Sequence, residues 1–137
     1  LGIVRVGEYA SFCMVDIPGL ISGAHQGKGL GIQFLQHIER CRVLLFVIDA
    51  SRPEEPDEIF SSLLRELSIY SEKLIERDIV IALNKTDLLE EEPDTDSLSA
   101  KTGREVFPIS AATGRGVPEL IGRLYSVIQQ SRLPEEE

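Results

Sequence analysis

Tryptophan is absent from this chain, methionine occurs once and cysteine twice in 137 residues. Cys13 and Cys41 stand at no metal-ligand spacing, so the sequence excludes a disulfide scaffold or a thiolate metal site and reads both as inert, reduced thiols. Long apolar runs are missing too. The longest, residues 43–48, is the length of a strand rather than of a membrane-spanning helix, and the start has neither the basic flank nor the apolar core of a signal peptide. Positive charge is scarce: 14 Lys and Arg against 23 Asp and Glu leave a net charge of −9, which disfavours generic attraction to nucleic acid. The acidic runs Glu90-Glu91-Glu92 and Glu135-Glu136-Glu137 read as a solvated loop and a linker stub. What remains, 42% apolar and 27% charged, is the composition of one globular domain with a real core.

The most informative residues are Asn84-Lys85-Thr86-Asp87, which follow the apolar run of residues 79–83 and so sit at the end of a buried strand. Asp87 is an acceptor-only fork. Guanine presents two parallel donors on one edge and adenine does not, so a carboxylate there pairs bidentately with guanine and is left unpaired by adenine. A site built on such hydrogen bonds rejects the analogue that cannot make them. Lys85 is placed to lay its methylene stem along the ring face, and Asn84 to tie the loop to its neighbours.

Two further strand ends support a nucleotide site. Asp16-Ile17-Pro18-Gly19 is a D-x-x-G element after the apolar residues 12–15; its carboxylate suits the water shell of a magnesium ion, and the Gly19 amide, with no side chain beside it, can approach a terminal phosphate. Downstream, residues 106–109 lead into Ser110-Ala111-Ala112, small residues whose backbone amides can approach the guanine carbonyl. Three strand ends offering magnesium, base and base-edge groups in sequential order fit an open α/β sheet, which binds ligands at the carboxyl ends of its strands.

The coarse reading along the chain is a hairpin (residues 3–6 and 11–16, turning at Gly7-Glu8), a glycine-rich stretch, and a helix over residues 31–41. The strand Val43–Asp49 follows, then a helix carrying Ile59, Leu63, Leu64, Leu67, Tyr70 and Leu74, and a strand over residues 79–83. A loop rich in Asp, Thr and Ser over residues 93–99, a short strand over 106–109 and a last helix over 117–128, with Leu120, Ile121, Leu124 and Ile128 inward, complete it. Such alternation predicts a doubly wound, mostly parallel sheet with an antiparallel edge strand.

At this point the chain resembles the Obg GTPases, within the translation-factor-related branch of P-loop GTPases. Residues 16–31, DIPGLISGAHQGKGLG, and the continuation QFLQHIERCRVLLFVIDAS carry the likeness, which covers nearly all of residues 1–131. The resemblance implies a cytoplasmic protein that binds GTP and GDP with Mg2+, hydrolyses GTP slowly, and associates with the large ribosomal subunit during assembly or stress. It implies nucleotide-binding roles for Asp16, Ile17, Pro18, Gly19, Asn84, Lys85, Thr86, Asp87, Ser110, Ala111 and Ala112, with Asp16 reaching the metal through water. It also makes the stretch containing Gly19, Gly23, Gly27, Gly29 and Gly31 a switch segment. Leu20 stands where some GTPases carry a water-orienting glutamine, and reads mainly as packing; His25, Lys28 and His37 read as solvated or hydrogen-bonded rather than catalytic.

No G-x-x-x-x-G-K-[ST] motif occurs, and with it are missing the lysine for the β/γ-phosphates and the hydroxyl ligand of magnesium. The expectation is therefore a partial G domain over residues 1–131 with an acidic linker stub at 132–137, a three-layer α/β fold missing its first strand, phosphate loop and first helix. Leu1-Gly2 reads as the middle of a longer protein. By resemblance, the missing strand would lie between the strands ending at Asp16 and Asp49. Losing about five buried side chains at roughly 1.5–3 kcal/mol each is on the order of 10 kcal/mol, so marginal folding is expected. Losing about four charge-assisted phosphate contacts removes about 6–12 kcal/mol, on the order of four to eight decades of affinity. The alternative function is a partner-binding α/β module that has lost nucleotide binding.

Overall fold

The computed structural model describes residues 2–6, 10–14, 41–70 and 72–130. The turn at Gly7-Glu8, residues 31–40 of the expected first helix, Leu20, His25, Lys28, His37, and Asp16, Ile17, Pro18 and Gly19 lie outside the described residues, as do residues 131–137.

The core is organised by strand β4 (Asp78–Asn84), which pairs in parallel with β3 (Val43–Asp49) on one side and β5 (Glu105–Pro108) on the other. Residues 79–83 are all buried, as a central parallel strand covered on both faces requires. The two-residue period then sorts its side chains. Ile79, Ile81 and Leu83 join Leu44, Ile48, Phe60, Leu67 and Leu98 in one cluster, while Val80 and Ala82 join Ile109, Leu120 and Leu124 in the other. Helices α1 (Pro56–Tyr70) and α2 (Thr95–Thr102) supply the first layer, and α3 (Val117–Gln130) the opposite one. Phe46 and Phe60 pack with ring centroids 5.2 Å apart, tying α1 to β3.

The register sets the site. Asp49 lies opposite Asn84 and Leu83 opposite Pro108, so the carboxyl ends of the three strands finish side by side. Strands β1 (Gly2–Val6) and β2 (Ala10–Met14) form an antiparallel pair, with α3 lying against β1.

Four details depart from the expectations. The antiparallel pair is a separate two-stranded sheet rather than the edge of the parallel one, because no described strand between β2 and β3 carries main-chain hydrogen bonds from one to the other. The expected loop over residues 93–99 contains the start of α2. Its Asp, Thr and Ser content is that of a helix N-terminus: the Ser97 N–H donates to the Asp94 side chain at 3.0 Å, and Gly103, left-handed at φ 70°, closes the other end by donating to the Ser99 carbonyl. Leu98 is its one buried anchor. Helix α1 is Pro56–Tyr70, and Leu74 falls in a 3-10 turn, Glu72–Glu76, rather than in that helix. On α3 the buried stripe is Leu120, Leu124 and Val127, with Ile121 and Ile128 half-buried; a spacing of four and then three keeps one face where the expected set drifted.

Candidate functional site

Asn84 ends β4, and the next residue turns the chain. Lys85 takes the left-handed conformation (φ 66°, ψ 33°), the only non-glycine among the described residues to do so, and leads into a single 3-10 turn, Thr86–Leu88. A side chain in that region costs on the order of 1–2 kcal/mol, so the surrounding bonds must hold it there.

Those bonds join the loop after β4 to the loop after β5. The Ile109 N–H donates to the Leu83 carbonyl at 2.9 Å, continuing the parallel ladder by one step. The Ile109 carbonyl then accepts twice from Thr86, from its N–H at 3.2 Å and its hydroxyl at 2.9 Å. Asn84 Oδ1 accepts from the Ala111 N–H at 3.0 Å, and Asp87 Oδ1 accepts from the Ser110 hydroxyl at 2.9 Å. Ser110 is fully buried while Asp87 is exposed, so a buried hydroxyl fixes one oxygen of an outward carboxylate. Among the described residues Asp87 Oδ2 and the Ala112 N–H have no hydrogen-bond partner, which leaves an acceptor and a donor on one rim.

The loop after β5 is itself shaped by hydrogen bonds. Ser110 donates its N–H to the Arg115 carbonyl at 2.9 Å, its carbonyl accepts from the Gly114 N–H at 2.7 Å, and its hydroxyl oxygen accepts from the Thr113 N–H at 3.2 Å. Gly116, at φ +78°, closes the loop where a Cβ would collide with the Pro108 carbonyl oxygen.

On the other side of Asn84, Lys85 Nζ lies 3.0 Å from Asp49 Oδ2. The second oxygen of Asp49 accepts from both the Ser51 hydroxyl, at 2.6 Å, and the Ser51 N–H, at 2.9 Å. These Ser51 bonds first, and then Lys85, hold the Asp49 carboxyl down at about 2, against an ordinary value of 3.8. The Ala50 N–H donates to the Asn84 carbonyl at 2.9 Å, so β3 and β4 stay joined to their last residue.

The structure thus brings together Asn84, Lys85, Thr86, Asp87, Ser110, Ala111 and Ala112 at the carboxyl rim of the sheet. Asp16, Ile17, Pro18 and Gly19 lie outside the described residues. Asp49, read from sequence only as the end of a strand, turns out to engage Lys85, and Ser51 holds its other oxygen. Their available signal is the Asp-x-Ser pattern, in which a side-chain carboxylate accepts from the chain two residues on. Among the described residues no group of three or more His, Cys, Asp or Glu is placed to hold a metal ion, and no helix is long and apolar enough to cross a membrane.

Residues 1–85 match the family described as "50S ribosome-binding GTPase". GTPase Obg of Syntrophomonas wolfei is 44% identical over 138 residues, spanning 99% of this chain and 32% of the relative. GTPase Obg of Syntrophobacter fumaroxidans is 46% identical over 144 residues, spanning 100% of this chain and 41% of the relative. The chain therefore spans about a third of the length of the first of these relatives and about two fifths of the second. Among solved structures, the FeoB G-domain from Methanococcus jannaschii superposes with a TM-score of 0.62 at 25% identity, over 93% of this chain and 78% of that one. Era in complex with MgGDPNP and nucleotides 1506–1542 of 16S ribosomal RNA gives a TM-score of 0.50 at 25% identity, over 69% of this chain and 31% of that one. A parallel sheet covered on both faces, a polar rim built at the ends of β4 and β5, and these matches agree: the chain belongs to the Obg GTPases, within the family of 50S ribosome-binding GTPases.

Proposed function

We propose that the rim at the ends of β4 and β5 is the guanine-binding half of a GTP site, and that the natural polypeptide carrying it hydrolyses GTP to GDP and phosphate. The observation that carries the reading is the pair Asp87 and Ser110. A carboxylate with one oxygen fixed by a buried hydroxyl is oriented in advance to accept two donors from one base edge. The Ala112 N–H offers the matching donor for a base carbonyl. Asn84 and Thr86 hold the two loops at a fixed separation, and the Lys85 stem covers the base face.

Asp16, Ile17, Pro18 and Gly19 serve the phosphate half in this reading. Asp16 supplies a hard oxygen of the kind magnesium prefers, through water, and Gly19 an amide for the terminal phosphate. Magnesium, when bound, neutralises phosphate charge while water attacks the terminal phosphoryl group in line. The Obg likeness supports a switch acting with the large ribosomal subunit in the cytoplasm. Residues 1–131 form the G-domain portion and 132–137 an acidic linker. A polypeptide of these 137 residues alone binds nucleotide very weakly, because its sequence holds no phosphate loop.

The test is competition of GDP, IDP and ADP for the natural polypeptide. Hypoxanthine lacks one of the two donors facing Asp87, and a charge-assisted hydrogen bond is worth roughly 1.5–3 kcal/mol, so IDP should bind about ten- to a hundredfold more weakly than GDP, and ADP more weakly still. Equal affinity for GDP and ADP would overturn the reading in favour of a partner-binding α/β module that has lost nucleotide recognition.

A further inference from the structure

We propose that Asp49 is a positioning residue for Lys85: its carboxylate holds the lysine ammonium at the rim, so that the stem is laid out for a purine ring before the ring arrives. The inference rests on the guanine-site reading of Asp87 and deepens it.

Three independent features of the geometry converge on this pair. Parallel pairing sets Asp49 opposite Asn84, so the acid on β3 stands beside the residue that precedes Lys85. The left-handed turn at Lys85 accompanies a reach back to β3, where Nζ meets Asp49 Oδ2 at 3.0 Å. The carboxylate is itself fixed, because its other oxygen takes both the N–H and the hydroxyl of Ser51. Of the neighbouring charges, Arg52 makes its ion pair with Glu54, at 2.7 Å, and only Lys85 makes one with Asp49 among the described residues.

A lysine stem has several free torsions, and pinning its end beforehand lowers the ordering cost of laying it on a base. That contact is made with a ring face, which guanine and hypoxanthine share. Asp87 instead reads the edge, where they differ. The two residues therefore have separable signatures: Asp49 acts on all purines alike, Asp87 on the preference among them.

The experiment measures GDP and IDP dissociation constants for the natural polypeptide as wild type, Asp49→Asn, Lys85→Met, the double variant and Asp87→Asn. Asp49→Asn keeps the side-chain oxygen for Ser51 and removes the charge. It should weaken GDP and IDP by the same factor, about two- to fivefold, the size of a partly exposed ion pair. In the Lys85→Met background it should have no further effect. A loss of equal size in that background, or a changed GDP-to-IDP ratio, would overturn the inference, since a general structural defect does not depend on Lys85. A second readout needs no nucleotide. The two hydrogens on the Lys85 ε-carbon should give distinct NMR signals in the wild type and a single averaged signal in Asp49→Asn. Unchanged signals would sink the Asp49 role alone, whereas an Asp87→Asn variant with an unaltered GDP-to-IDP ratio would sink the edge reading and leave the coupling between Asp49 and Lys85 intact.

Discussion

The hydroxyl of Ser110, which has no exposed surface, donates to Asp87 Oδ1 at 2.9 Å and accepts from the Thr113 N–H at 3.2 Å. One small side chain thereby orients a carboxylate on the loop after β4 and shapes the loop after β5. Its burial matters: a hydroxyl removed from water must find partners within the protein, and these two satisfy it.

Ser110→Ala removes both bonds at once. The Thr113 N–H loses its acceptor and Asp87 is free to rotate, so unfolding free energy should fall by about 1–3 kcal/mol. Denaturant titration measures that loss. GDP affinity should fall as well, with IDP falling less, because the bidentate geometry is what becomes disordered.

Asp87→Asn exchanges a double acceptor for one acceptor and one donor. Guanine then meets a donor with its own amino group, while xanthine, which carries a carbonyl at that position, meets its complement. The variant should lose GDP affinity by about ten- to a hundredfold and gain affinity for XDP, from roughly 1.5–3 kcal/mol per charge-assisted bond. Direct titration with both nucleotides shows whether the preference inverts.

Gly116→Ala and Gly114→Ala separate two costs. Both positions have positive φ, +78° and +87°, but a Cβ at Gly114 meets nothing within 4 Å whereas one at Gly116 collides with the Pro108 carbonyl. Gly114→Ala should cost about 1–2 kcal/mol from backbone strain alone. Gly116→Ala should cost more, and thermal or denaturant unfolding of the two variants measures the difference.

Asp49 makes a pH prediction. Its folded-state carboxyl is held at about 2, below the ordinary 3.8, so protons bind the unfolded chain more readily. Its stabilisation is fully present above about pH 3.8 and is lost as pH falls through about 2. Stability of Asp49→Asn should accordingly fall less steeply across that window than the wild type's. Following the Asp49 carboxyl carbon by NMR, Ser51→Ala and Lys85→Met should each raise the titration midpoint, because each removes a contact that favours the charged carboxylate.

How much of this was legible beforehand differs by element. β3 was readable to its last residue as an apolar run ending in Asp49. β4 was readable nearly so, because a central parallel strand must be apolar on both faces and its five consecutive buried residues leave no other period to fit. Helix α2 was not readable, since its only buried residue is Leu98 and its remaining side chains are those of a turn; a helix made by its caps leaves no stripe. At the site, the chemistry of Asp87 followed from what a carboxylate can accept. The Asp49–Lys85 pair did not, because it depends on strand order and on a left-handed backbone at a lysine, and neither is a local property of composition.

The Ile109 carbonyl accepts both bonds from Thr86, and that shared acceptor has a mechanical result. Neither loop can swing away without breaking two contacts at a single atom, so movement of one strand tip is coupled to the other. A displacement of Ser110 therefore reaches Asp87 by two routes, through its own hydroxyl and through Ile109 and Thr86.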